Sequence, residues 1–169
     1  MTDLYILRHA IAAPAERTRR GVPDRERELT QEGRRKLKGV ARAFRAMGPS
    51  VDLILSSPYV RARETAELVA KTLGIMDRIR LSEHLTPDGD PARLLQQLFQ
   101  IRGPLGGVLL VGHDLHLQRL VSTLLTGGTG LQFTLKRAGL CKLTLPRLEP
   151  GRCATLEWLL TPRQMIAMW

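Results

Sequence analysis

Three places in the chain carry side chains suited to an anionic substrate: Arg8-His9, Arg61 and His113. An arginine presents a rigid fork of donors that matches phosphate or carboxylate oxygens. A neutral imidazole is a nucleophile, a base or a metal ligand near pH 7. Each residue alone is equally a surface charge or a helix cap, so the elements that hold them decide between the readings.

Leu4 to Leu7 is an uninterrupted apolar and aromatic run, the pattern of a strand buried on both faces, and it stops at Arg8-His9. Ligands of open α/β sheets bind beyond the carboxyl ends of strands, which is where this pair falls. Thr30 is expected to cap a helix with Leu37, Val40, Ala41, Phe44 and Met47 on one face, stopped by Gly48-Pro49. Val51 to Leu55 reads as a second strand running into Ser56-Ser57-Pro58. There Ser57 is expected as N-cap and Pro58 as the first residue of a helix that ends at Gly74. Arg61 then lies in the first turn, near free backbone N–H groups, where it holds a phosphate or pairs with a nearby carboxylate; Arg63 points elsewhere.

Arg78 to Leu81 reads as a short strand leading to Ser82-Glu83-His84, and Asp90-Pro91 opens a helix with Leu94, Leu95, Leu98 and Ile101 on its buried face. Val108 to Val111 is the strongest strand signal, ending at Gly112-His113-Asp114 before a helix that closes at Gly127-Gly128. This alternation predicts a doubly wound sheet with one polar pocket. Leu140 to Leu145 and Cys153 to Leu160 are expected to form an edge hairpin turning around Arg147 to Glu149. That register sets Cys141 opposite a residue near Glu157 and predicts two thiols rather than a disulfide. The tail, Thr161 to Trp169, is expected to dock as a short amphipathic turn with Met165, Met168 and Trp169 packed on the body.

The 169 residues, 43% of them hydrophobic, are enough for one core, and a single domain over 1–169 is expected. Twenty-six Lys and Arg against sixteen Asp and Glu leave a formal charge of +10, which favours anionic partners. An aromatic content of 4% counts against single-strand nucleic-acid binding, which uses exposed rings as stacking platforms. The loop from Ala13 to Glu28 carries Arg17, Arg19, Arg20, Arg25 and Arg27, either as a solvated rim or to gather an acidic partner. Asp3 precedes an apolar run too short for a signal peptide, and no later run reaches spanning length, so a cytoplasmic protein without a membrane partner is expected. A metal site from His9, His84, His113 and His116 is disfavoured, because no Cys lies near them and His113 precedes the helix that carries His116.

Ordered blocks in this chain resemble those of the histidine phosphatase superfamily: Leu7-Arg8-His9, Leu29-Thr30 with Gly33, Ser57-Pro58 with Arg61-Ala62 and Glu64-Thr65, and Val111-Gly112-His113. Asp24, Arg27, Leu29 and Thr30, with Leu85-Thr86-Pro87, are similar to the small SixA-type phosphohistidine phosphatase branch. The resemblance implies a three-layer α/β/α fold of the phosphoglycerate mutase-like kind, with a mostly parallel sheet and an antiparallel edge. It also implies a metal-independent phosphatase that needs no cofactor and acts through a covalent phosphohistidine.

On that resemblance His9 is the nucleophile, its second ring nitrogen donating to a backbone carbonyl, while Arg8, Arg61 and His113 bind the phosphoryl oxygens. Glu83 matches the position of the acidic proton donor in mutase-like relatives, and Asp24 is a weaker candidate for that role. Ala10 stands where the superfamily usually has Gly, which removes no reacting group. The links at Leu85 to Asp90 and Gly128 to Gln132 are too short for the capping insertion of larger relatives. An open site suits a phosphohistidine on a protein, with acidic phosphotransfer domains of signalling systems as the implied partners of a monomer. A small-molecule phosphomonoesterase and a non-catalytic phosphate or nucleic-acid binding module are the alternative readings.

Overall fold

The computed structural model describes residues 1–14, 22–101, 105–146 and 153–169. The rim arginines Arg17, Arg19 and Arg20 and the hairpin turn at Arg147 to Glu149 lie outside the described residues. In chain order the strands are β1 (Thr2–Arg8), β2 (Leu53–Ser56), β3 (Ile79–Leu81), β4 (Gly107–Gly112), β5 (Leu140–Leu145) and β6 (Thr155–Leu160). The helices are α1 (Gln31–Ala46), α2 (Val60–Leu73), α3 (Pro91–Phe99), α4 (Asp114–Thr126) and α5 (Pro162–Met168).

All six strands join one sheet in the order β3-β2-β4-β1-β5-β6, parallel from β3 to β1, with β5 antiparallel to both β1 and β6. The continuous apolar reading of Leu4 to Leu7 has a direct cause. Tyr5 and Leu7 pack with Leu37, Phe44, Ala66 and Met165 on the face covered by α1, α2 and α5. Leu4 and Ile6 pack with Leu94, Leu98, Leu117 and Leu120 on the face covered by α3 and α4. Val108 to Val111 alternate in the same way, so both central strands are buried on both sides. No helix among the described residues is long and apolar enough to cross a membrane.

Local signals hold at most helix ends. Thr30 Oγ1 accepts the Gly33 amide, Asp90 accepts the Ala92 amide, and Gly74 and Gly127 end α2 and α4 in the left-handed conformation. Three details differ from expectation. The hairpin register places Cys141 opposite Leu159, because a bulge between Lys142 and Leu143 shifts the pairing; Cys141 and Cys153 are not joined by a disulfide. In the tail only Met165 is packed: Met168 and Trp169 are 58% and 64% exposed, since α5 ends at the surface. The connection after α4 is not the short Gly128–Gln132 link but runs to residue 139, pinned by buried Leu135 and Ala138.

Candidate active site

Strand register assembles the site. Arg8 pairs with Gly112 across β1 and β4, so the residues that follow, His9 and His113, emerge side by side at the carboxyl edge of the sheet. The His9 amide donates to the Gly112 carbonyl at 3.0 Å, and the two imidazole centroids are 5.1 Å apart. The Ser57 amide donates to the Val111 carbonyl at 2.9 Å, which brings the end of β2 to the same place.

His9 Nδ1 lies 2.7 Å from the Ala10 carbonyl, an acceptor only, so Nδ1 carries the proton and Nε2 keeps its lone pair. Burial, offset in part by that hydrogen bond, lowers the His9 pKa to about 4, and the charges of Arg61 and Arg8 push the same way. The ring is therefore neutral at pH 7. Ala10 is itself fixed, because its amide donates to Thr65 Oγ1 at 3.1 Å while that hydroxyl donates to the Arg61 carbonyl at 2.6 Å.

His113 is buried and its pKa is lowered to about 3, by burial first and then by His9 and Arg61. Its Nε2 is 2.9 Å from Ser57 Oγ, which also accepts the Tyr59 amide at 3.3 Å. Tyr59 meets the His113 ring edge-on at 5.2 Å. The buried Nδ1 of His113 has no hydrogen-bond partner among the described residues.

Arg8 Nη1 is held by Asp114 Oδ2 and by the Leu135 carbonyl, both at 2.8 Å, which fixes the plane of the guanidinium. Arg61, 4% exposed, donates from Nη1 to the Asp24 carbonyl at 2.7 Å and from Nη2 to Asp24 Oδ2 at 3.0 Å. The carboxylate pairing weighed for Arg61 is thus present in this structure. Arg27 binds the other oxygen of Asp24 at 2.7 Å and the Ala13 carbonyl at 2.9 Å, so it is tied into the site and is not a solvated rim residue. Burial alone would raise the Asp24 pKa, but the hydrogen bonds from Arg27 and Arg61 outweigh it and hold the carboxyl below its usual value. That keeps Asp24 ionised and unsuited to donate a proton here. The Nε atoms of Arg8 and Arg61 are both buried and without a partner among the described residues.

Of the residues proposed from sequence, Arg8, His9, Arg61 and His113 come together. Glu83 is exposed on a 3-10 turn after β3 and makes no ion pair among the described residues. Ser57 is not the helix cap expected. Helix α2 begins at Val60 after Tyr59, and Ser57, two residues ahead of that cap, uses its Oγ both to accept the Tyr59 amide and to meet His113. Glu64 accepts from the Leu29 amide at 2.8 Å and Arg34 at 2.6 Å, and so ties the Leu29-Thr30 block to α2. Arg63 faces away toward Glu67, as its position on the helix predicts. Among the described residues no three His, Cys, Asp or Glu side chains converge on one point, so the donor set does not form a metal cage.

An α/β sheet with two imidazoles and two arginines at the carboxyl edge of its central strands defines a phosphate-handling protein of the phosphoglycerate mutase-like fold. The chain belongs to the histidine phosphatase superfamily (branch 1), whose sequence profile residues 4–86 match, and within it to the SixA-type branch; it is a phosphatase by class. An uncharacterized protein of Picosynechococcus sp. is 34% identical over 143 residues, 83% of this chain and 84% of its own. The phosphohistidine phosphatase SixA of Escherichia coli K12 is 26% identical over 161 residues, 95% of this chain and 94% of its own. The structure of the protein histidine phosphatase SixA complexed with tungstate superposes with a TM-score of 0.81 at 26% identity, covering 95% of this chain and 97% of the other.

Proposed function

We propose that this phosphatase hydrolyses phosphohistidine on a protein, with His9 as the covalent nucleophile. The observation that carries the reading is the His9 tautomer: Nδ1–H is committed to the Ala10 carbonyl and Nε2 is left as a lone pair among cationic side chains. In the first step Nε2 attacks phosphorus in line, the P–N bond to the substrate imidazole breaks, and the phosphoryl group passes to His9. The substrate ring leaves as neutral imidazole when it reacts in its ring-protonated form, in which the distal nitrogen has taken a proton from solvent before the P–N bond breaks. No enzyme acid is then required, in keeping with an exposed Glu83 and an ionised Asp24. Water attacks phospho-His9 in the second step and restores the neutral ring with release of phosphate.

The unpartnered Nε–H groups of Arg8 and Arg61 are donors for the phosphoryl oxygens. His113 acts as a neutral donor: Ser57 Oγ, accepting from Tyr59, gives its own hydrogen to Nε2, which leaves the buried Nδ1–H for a phosphoryl oxygen. The reaction needs no metal, and Ala10 in place of glycine is compatible with it because the amide and carbonyl of Ala10 remain in use.

The test is phosphate release from a phosphohistidine-bearing phosphotransfer domain and from a panel of small phosphate esters. The protein substrate should be preferred, His9→Ala should lose at least ~10³-fold in kcat/KM, and Glu83→Gln should stay within about twofold. Preference for a small ester would give the activity to a phosphomonoesterase instead. Absence of turnover on every phosphate would leave a binding module.

A further inference from the structure

A groove of about 890 Å³ does not contain His9, Arg61 or His113; it starts at Arg8 and runs between α1, the end of the 127–139 connection and α5. Its rim holds Arg8, Lys36, Lys136, Arg137 and Arg163, and no carboxylate lines it among the described residues. Lys36 pairs with Glu32, but Lys136, Arg137 and Arg163 are exposed and make no ion pair among the described residues. The floor is aliphatic, from Ile11, Pro162 and Ile166, the last 43% exposed. Helix α5 is fixed as its wall, because a Cβ on Gly39 of α1 would come within 2.9 Å of Ile166 Cγ1. The groove adjoins the reaction centre through Arg8, which lines it and immediately precedes His9 in the chain.

Resting on the phosphohistidine-protein reading above, we propose that this groove docks an acidic surface, studded with aliphatic side chains, of the protein that presents its phosphohistidine to His9. Those aliphatic side chains pack on Ile11, Pro162 and Ile166, and the carboxylates meet Lys136, Arg137 and Arg163. Charge complementarity selects the sign of the partner, and the aliphatic floor selects its class. A nucleic-acid backbone has no apolar side chains to place there, and among the described residues no aromatic ring lines the groove to stack a base. A small ester held between Arg8 and His9 leaves the groove unused.

The experiment compares kcat/KM for a phosphorylated histidine phosphotransfer domain with kcat/KM for free phosphoramidate, in wild type, in the double variant Lys136→Glu/Arg163→Glu, and in Ile166→Ser. The ratio of the domain value to the phosphoramidate value should fall ~10-fold in the double variant, mainly through KM. In Ile166→Ser it should fall roughly threefold. If wild type acts on the domain and both variants keep its ratio, the groove is not the docking surface, while the proposed function stands. If wild type cleaves phosphoramidate but not the domain, both fall. A short DNA duplex that inhibits wild type and Ile166→Ser alike, but not the double variant, would give the groove to nucleic acid and overturn the proposal.

Discussion

The neutral state of the two histidines has consequences that can be measured without substrate. Their pKa values are lowered from 6.5 to about 4 at His9 and about 3 at His113, chiefly by burial. Between those values and 6.5 the unfolded chain binds more protons than the folded one, so stability rises with pH across that window. The contribution is complete above pH 6.5 and is lost as the pH falls through the folded pKa values. Chemical denaturation from pH 7 to pH 4 should therefore show a steady loss of stability, and His113→Gln should flatten part of it. Ser57→Ala should lower kcat ~10-fold with little change in KM, because His113 loses the partner that sets its tautomer. Arg8, His9, Arg61 and His113 could be named from sequence because each is fixed locally, at a strand end or in a first helical turn. The part played by Ser57 was hidden, since Ser-Pro before a helix is also a good capping sequence and only the approach of His113 decides between the two. The link from Asp24 to Arg61 was hidden for a similar reason: the two are 37 residues apart in the chain, and Arg27 joins them only through Asp24.

Elements place these residues through a few close contacts. The Leu29-Thr30 block with Gly33 is one. Thr30 caps α1 on the Gly33 amide, and Gly33 has no side chain because the Ile11 carbonyl occupies the space where its Cβ would be. The Thr30 amide donates to that same carbonyl at 2.9 Å. Gly33→Ala should thus cost about 2 kcal/mol in stability, read from the shift in denaturation midpoint, and should lower activity by moving the segment that follows His9. The alternation of strands and helices was legible because each central strand is buried on both faces and each helix on one. Strand order was not, since periodicity carries no information on neighbours, and it is the β1–β4 pairing that sets His9 against His113. The bulge that sets Cys141 opposite Leu159 and the exposed end of α5 likewise depend on tertiary packing.

Across the whole molecule, the excess of ten positive charges is not spread evenly: five cations, Arg8 among them, line the groove, and three of these, Lys136, Arg137 and Arg163, make no ion pair among the described residues. Raising ionic strength from about 0.05 to 0.5 M shortens the screening length several-fold. It should raise KM for a phosphorylated protein substrate far more than for phosphoramidate, which engages only the groups around His9. The nucleophile is the centre of the whole account, and a quenched-turnover experiment tests it most directly. Wild type is mixed with a phosphotransfer domain radiolabelled at its phosphohistidine, stopped with alkali before the first turnover is complete, and the label is located by peptide mapping. The label should appear on the peptide containing His9, stable to base and labile to acid, and should be absent from His9→Ala. Release of phosphate at the full rate with no label ever on the enzyme, or undiminished turnover by His9→Ala, would contradict it.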